Sequence, residues 1–415
     1  MRNKKVKKGH YVNEKTLLVA IDIGKGTHYG YFRGPKREES TVFPIKNTLR
    51  EYNRLYRKMV EYLEQWGLEE IMVGYESSGP YGEPLVQYLV GKGVRVVQVN
   101  PMHTKRVKEL TGNSPNKTDL KDPRVISDII ELGHALSVII PTGPAAELRR
   151  LTQARERAVE KQTATVNQLR QAVYVIFPEW EDIFRNINCK SSRELLKHFS
   201  TPEEVVQLGV RKLTNFLHQA SRGRKGKEQA EALYAAARES VGIGEGLEAI
   251  KCEIGFLVKE LEQLEEYIAQ LEKRMAVYLK EIPYSRSILS VKGIKTVTAA
   301  GLIGEVGDFQ AFHSSRELLK MAGLNLYEVS SGIHRGEKHI TKRGRSLLRK
   351  ILYCALLNMV KPGGVMHDTY QAALDRGKSS TSALVMISRK LLKILFALVH
   401  NHSVYQEQYS VCQAA

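Results

Sequence analysis

Asn116-Lys-Thr-Asp-Leu-Lys-Asp122 sets two carboxylates, Asp119 and Asp122, three residues apart. The loop-forming run Thr111-Gly-Asn-Ser-Pro115 precedes them, and apolar residues follow at Val125, Ile126, Ile129 and Ile130. Acids ahead of that apolar spacing, with Pro123 just inside, predict the opening of a helix. Helical residues i and i+3 share a face. Both carboxylates are therefore expected to point at one spot, a donor set suited to a pair of hard divalent cations. Acids also sit at helix starts simply because they suit the dipole, and this stretch alone leaves both readings open.

Upstream, Thr16-Leu-Leu-Val-Ala-Ile-Asp-Ile23 is a continuous apolar run with one acid near its end, the pattern of a buried central strand. Gly24, Gly26 and Gly30 punctuate a turn, and segments 29–32 and 40–43 supply two more strands. Residues 49–66 have helical periodicity through Tyr52, Leu55, Met59, Tyr62 and Leu63. Ile71-Met-Val-Gly-Tyr-Glu76 is another buried-strand pattern ending in an acid, and a helix near 82–90 and a strand over 94–99 follow. The expected order is three strands, a helix, a strand, a helix, a strand and the two-Asp helix. That is the order of an RNase H-like (RuvC-like) α/β fold, in which strand-end carboxylates and a helix acid converge on two metal ions. A buried, unpaired carboxylate is costly, so Asp22 needs a partner such as a metal. The plainer alternatives are that Asp22 caps the turn at 24–27 and that Glu76 is an ordinary strand-end acid.

From about residue 145 the chain turns polar and helical to about 175, and a second long helix is expected over 244–279. Its apolar residues (Ile250, Ile254, Leu257, Leu261, Leu264, Ile268, Leu271, Met275) recur at threes and fours, the coiled-coil pattern. Such a seam serves equally a two-helix hairpin within one protomer or an oligomerisation arm. A shorter helical region over 191–237 holds the basic loop Ser221-Arg-Gly-Arg-Lys-Gly-Lys227, which suits phosphate contact. Gly293-Ile294-Lys295, ahead of Thr298-Ala-Ala300, looks like a helix-hairpin-helix turn whose amides and helix start can hold a DNA phosphate; a plain αα-hairpin is the alternative. Then come Ser330-Ser331-Gly332 and a dense basic run with Arg335, Lys338, Lys342, Arg343 and Arg345, followed by a helix with an apolar face. The expected division is a basic arm over 1–14, the RNase H-like domain over 15–143, a helical coiled-coil region over 144–284 and a mainly helical domain over 285–415.

The 415 residues carry a formal net charge of +18 and a pI near 9.5. That excess points to a polyanionic partner, most simply nucleic acid. Cys189, Cys252, Cys354 and Cys412 show no paired spacing, so neither a zinc site nor a disulfide framework is expected, which fits a reducing compartment. The N-terminal Met1-Arg-Asn-Lys-Lys-Val-Lys-Lys8 has no apolar stretch behind it and reads as a basic arm rather than a signal peptide. The most apolar late segment, 383–399, is broken by Arg389, Lys390 and Lys393, so no membrane span is expected.

Several motifs, in this order, resemble the DEDD-type serine recombinases of insertion sequences, which are guided by a bridge RNA. In the N-terminal half they are Val19-Ala-Ile-Asp22, Tyr75-Glu76 with Ser78-Gly-Pro-Tyr-Gly82, and Lys117-Thr-Asp119 with Asp122. In the C-terminal half they are Gly293-Ile294 with Thr298-Ala-Ala300, Ala322-Gly-Leu324, Ser330-Ser-Gly332, and residues 346–356 after the basic run. The resemblance implies that Asp22, Glu76, Asp119 and Asp122 hold two Mg2+ ions, with Mn2+ able to substitute, and that Ser331 is the nucleophile. It implies a prokaryotic, cytoplasmic, nucleoid-associated transposase whose partners are a noncoding guide RNA and donor and target duplex DNA. Homodimers would assemble into a homotetramer, each active site combining the acids of one subunit with the serine of another. Strands would be cut and rejoined through a 5′-phosphoserine intermediate. The residue pattern leaves two other classes open: a metal-dependent junction-resolving nuclease with no covalent intermediate, and a non-catalytic nucleic-acid-binding scaffold.

Overall fold

The structure, a computed structural model, describes residues 12–76, 79–111, 122–137, 140–328 and 338–406. It divides into two compact units, residues 1–140 and 141–415.

Unit 1 opens with β1 (Thr16–Asp22), β2 (Thr27–Arg33) and β3 (Phe43–Lys46), followed by helix α1 (Leu49–Gln65) and strand β4 (Glu70–Glu76). A short 3-10 turn (Pro80–Gly82), α2 (Glu83–Gly91), β5 (Arg95–Val99), α3 (Pro101–Thr111), α4 (Asp122–Glu131) and β6 (Ala135–Ser137) complete it. The six strands form one mixed sheet in the order β3-β2-β1-β4-β5-β6. β1, β2 and β3 run antiparallel, β4 and β5 run parallel to β1, and β6 runs antiparallel to β5. The order of β1 to β5, α1, α2 and α4 is the one expected from the sequence, to which the structure adds α3 before α4 and β6 after it.

Side-chain alternation along a strand divides the sheet's two faces. Leu17, Val19 and Ile21 join Val73 in a core with Leu55 and Met59 of α1 and Leu85 and Leu89 of α2. Leu18, Ala20 and Met72 face the other way, into a core with Val125, Ile126, Ile129 and Ile130 of α4. Gly74 lets α4 lie close: a Cβ there would stand 1.9 Å from Ile130 Cδ1 and 3.2 Å from its Cγ1. The far end of α4 is tied to the sheet by Arg33, whose guanidinium contacts Asp128 at 2.5 Å and Glu131 at 3.5 Å.

The structure corrects two expectations here. The third strand lies at 43–46, not 40–43, because Ser40 is spent on the turn before it: its hydroxyl accepts the Phe32 N–H at 2.9 Å and its own N–H donates to Phe32 O. Pro44 in that strand fits a sheet edge, where no ladder donor is needed on its outer side. A helix, α3, also occupies the stretch between the strand expected over 94–99 and the loop-forming run, where the sequence predicts no element.

Unit 2 is almost wholly helical. α5 (Gly143–Ile176), α6 (Trp180–Ile183), α7 (Lys190–His198), α8 (Pro202–Ser221), α9 (Lys227–Arg238) and α10 (Leu247–Lys280) form its first half. α11 (Ser285–Leu289), α12 (Thr296–Val306), α13 (Ser315–Met321), β7 (Leu326–Glu328), β8 (Lys338–Ile340), α14 (Ser346–Met359), α15 (His367–Asp375) and α16 (Ser380–His400) form the second. α5 and α10 lie along each other within the one chain. Arg155 meets Glu272 at 2.7 Å, and Lys161 meets Glu260 at 2.8 Å, so the later residue pairs with the earlier and the two helices run antiparallel. The periodic face of α10 is buried at Ile254, Leu257, Leu261, Leu264, Leu271 and Met275. Its first half shares a core with Leu169, Val173 and Ile176 of α5 and with Trp180, Leu195, Leu213 and Leu233 from α6 to α9. None of the helices among the described residues is long and apolar enough to cross a membrane.

Candidate active site

Two neighbouring parallel strands end in acids. Ile21 of β1 pairs with Tyr75 of β4, so the next residues, Asp22 and Glu76, close the strands side by side. By alternation both belong to the face that carries Leu18, Ala20 and Met72, which α4 covers. α4 begins at Asp122. These three acids line one pocket of about 330 Å³ with Ile23, Gly24, Thr27, Tyr29 and Lys108. Gly24 is required in its wall: a Cβ there would lie 2.2 Å from the Thr27 carbonyl oxygen, inside the turn from β1 to β2. Asp119, Ser330, Ser331 and Arg335 lie outside the described residues, and so does the expected sharing of a face by Asp119 and Asp122.

The pocket also holds a residue the sequence reading missed. Lys108, in the last turn of α3, places its ammonium 2.6 Å from Asp122 Oδ1. Pro101 directly after Asn100, whose side chain accepts the Met102 N–H at 2.9 Å, was the available signal for a helix start. The polar stretch behind it carries no clear apolar stripe to strengthen that signal. Three hard oxygen donors around one pocket, with an ammonium against one of them, are chemically suited to a divalent cation. Among the described residues, no three His, Cys, Asp or Glu side chains come close enough together, as they stand, to hold a metal ion. Carboxylates without a cation between them repel one another, and Asp122 is engaged by Lys108.

In unit 2, β7 and β8 form a hairpin in which Tyr327 pairs with His339 and Glu328 with Lys338. Ser330 and Ser331 therefore fall in the segment joining the two strands. The hairpin base is fixed to the end of α13: the Lys342 N–H donates to Gly323 O at 2.9 Å and the Thr341 N–H to Asn325 O at 2.8 Å. Arg349 adds donors to Ala322 O at 2.9 Å and Gly344 O at 3.1 Å. Arg345, at the N-cap of α14, donates to the Glu305 carbonyl of α12. Lys338, Lys342 and Arg343 are exposed, and Lys338 stands 3.8 Å from Glu328. Gly293 takes φ +102° with Met359 packed against it, and the buried Ile294 donates its N–H to Val291 O at 2.9 Å. Lys295 is the N-cap of α12.

Residues 19–178 match a protein family described as Transposase (DEDD_Tnp_IS110), and residues 285–371 match one described as Transposase IS116/IS110/IS902 family. An insertion element IS116 uncharacterized 44.8 kDa protein of Streptomyces clavuligerus is 26% identical over 402 residues, covering 96% of this chain and 98% of the relative. The insertion element IS110 uncharacterized 43.6 kDa protein of Streptomyces coelicolor is 22% identical, covering 94% and 96%. A transposase for insertion sequence element IS1111A of Coxiella burnetii is 24% identical, covering 76% and 74%. T. thermophilus RuvC in complex with Holliday junction substrate is 15% identical, with 30% of this chain covering 99% of that one at a TM-score of 0.22, too slight a likeness to carry an argument.

Proposed function

Because the chain carries the transposase domains of the IS110/IS116/IS902 insertion-element family, we propose that it is an RNA-guided DNA recombinase that cuts and rejoins strands through a 5′-phosphoserine intermediate. The observation that supports this most is the gathering of Asp22, Glu76 and Asp122 from three separate elements around one pocket. Asp119, three residues before Asp122, is the fourth acid of the set. These carboxylates would hold divalent ions, Mg2+ with Mn2+ as substitute, which supply charge neutralisation at the attacking and leaving oxygens.

The protein's own groups do the rest. The Ser331 hydroxyl attacks phosphorus and loses its proton; a bond forms between Ser331 Oγ and phosphorus. The bond to the 3′ oxygen breaks, and that oxygen takes up a proton. The 5′ phosphate stays esterified to serine until a 3′ hydroxyl from another strand attacks it and releases the serine. One phosphodiester is exchanged for another, so rejoining needs no external energy source. Lys338, Lys342 and Arg343, exposed on the hairpin and at its base, would neutralise phosphate charge. Arg335 joins them in sequence, while Gly293 and Lys295 would offer a second phosphate contact at the start of α12; the amide of the buried Ile294, expected to share in it, is instead bonded to Val291 O.

The net charge of +18 suits a chain that binds a guide RNA and both donor and target duplexes. The reading includes assembly as dimers and then a tetramer, for which Phe256, Tyr267 and Val277 of α10 are exposed and available to a partner. The test is strand cleavage by single amide variants of the four acids. Asp22→Asn, Glu76→Gln, Asp119→Asn and Asp122→Asn should each abolish metal-dependent cleavage and leave nucleic-acid binding largely intact. Wild-type cleavage by Asp119→Asn or Asp122→Asn would sink the assignment.

A further inference from the structure

Lys108 shares the acid pocket without belonging to the acid set. Its side chain is about one-third exposed (34%), whereas its partner Asp122 is 14% exposed. A lysine with that much freedom has bulk solvent available to it, yet it reaches inward. The pocket's other polar wall residues include Asp22 and Glu76, so this position is strongly favourable for a cation. An ammonium is a compact point charge on a flexible stem and donates from any direction, which makes it a workable stand-in for a metal ion. It also draws Asp122 towards α3.

We propose that Lys108 is a positioning residue that competes with divalent metal: its ammonium occupies the acid pocket against Asp122, and metal loading displaces it. This rests on the reading of the pocket as a metal site. Two cations cannot both hold the same carboxylate oxygen at close range without repelling each other. An ion that takes Asp122 Oδ1 therefore competes with Lys108 for it, which lowers metal affinity in the absence of DNA. The lysine keeps the acids compatible with a folded, metal-free chain and releases Asp122 to the metal on loading.

The experiment is Mn2+ titration of the full-length protein without nucleic acid, followed calorimetrically. Lys108→Met should tighten Mn2+ binding about two- to fivefold, the range expected when a partly exposed ion pair no longer competes. Lys108→Arg keeps the charge and should not tighten it. Arg106→Met, two residues away and so on another side of the same helix, should leave it unchanged. A second readout uses the wild-type chain alone. Acetic anhydride labelling of the Lys108 amine, read by mass spectrometry, should speed up when Mn2+ is added, because the amine leaves its carboxylate. Unchanged or weaker Mn2+ binding in Lys108→Met, or a labelling rate that does not rise, overturns the proposal. An Asp22→Asn/Glu76→Gln variant separates the two levels. If wild type binds Mn2+ no better than that variant, the metal reading itself has failed and takes the proposal with it. If wild type binds clearly better and Lys108→Met does not tighten, only the role of Lys108 is wrong.

Discussion

The contact between Gly74 and Ile130 governs how closely α4, and with it Asp122, approaches the sheet. Gly74→Ala introduces a Cβ 1.9 Å from Ile130 Cδ1, 3.2 Å from its Cγ1 and 3.5 Å from Val97 Cγ2. Carbon atoms prefer about 3.5–4.0 Å. Either Ile130, which is fully buried, leaves its rotamer, or α4 moves outward. Overpacking of that kind costs about 1–3 kcal/mol. Ile130→Ala alone leaves a cavity and costs about 2–5 kcal/mol. In the double variant the new methyl group enters the space that Ile130 vacated, so the two costs should fall short of their sum by about 1–2 kcal/mol. The chain has two tryptophans, Trp66 in unit 1 and Trp180 in unit 2. In a Trp180→Phe background, Trp66 emission during urea unfolding follows unit 1 without a signal from unit 2. Costs that add to within about 0.5 kcal/mol would mean that the two sites do not compete for the same space, and the account of how α4 is seated would be refuted.

His28 is fully buried on β2, and burial pushes its pKa below 6.5 against a partial opposing pull from the Gly24 backbone. The unfolded chain therefore binds the proton more readily. The stability that neutral His28 confers is present above pH 6.5 and is lost as pH falls from there through the lowered folded pKa. Replacing it by Leu should flatten the fall of the Trp66 urea midpoint between pH 7 and 5, and an equally steep fall would assign the acid sensitivity to other groups. Nucleic-acid affinity should drop by about three to five orders of magnitude between 50 and 200 mM salt if six to ten phosphates are contacted. The purified chain should carry a discrete RNA that alters its DNA selectivity, and sequencing the bound nucleic acid checks this; finding no discrete RNA would remove RNA guidance from the account.

Much of unit 1 was legible because its signals are local. β1 and β4 are apolar runs closed by Asp22 and Glu76, and the spacing of Val125, Ile126, Ile129 and Ile130 announced α4. The meeting of those acids in one pocket follows from parallel pairing of β1 with β4, which strand order predicts only through fold resemblance. Lys108 was not legible. α3 is polar on most sides, and its ion pair with Asp122 joins residues on separate helices. Three-residue strands such as β6, β7 and β8 owe their existence to the strands they pair with rather than to their own sequence. For α10 the periodicity announced a buried face but could not say which helix covers it; α5 does. Asp119 and Ser331 rest on their motifs, since they lie outside the described residues.

The covalent step is the centre of the account, and trapping it is the most direct measurement. The protein is reacted with a suicide DNA substrate whose cleaved strand cannot be rejoined, then digested, and the modified peptide is located by mass spectrometry. The nucleotide should be attached at Ser331 through its 5′ phosphate. Ser331→Ala should remove the adduct, Ser330→Ala should weaken it at most, and Tyr327→Phe, which alters an exposed hydroxyl on β7, should keep it. An adduct on Tyr327, or normal strand exchange by Ser331→Ala, would contradict both the residue and the mechanism.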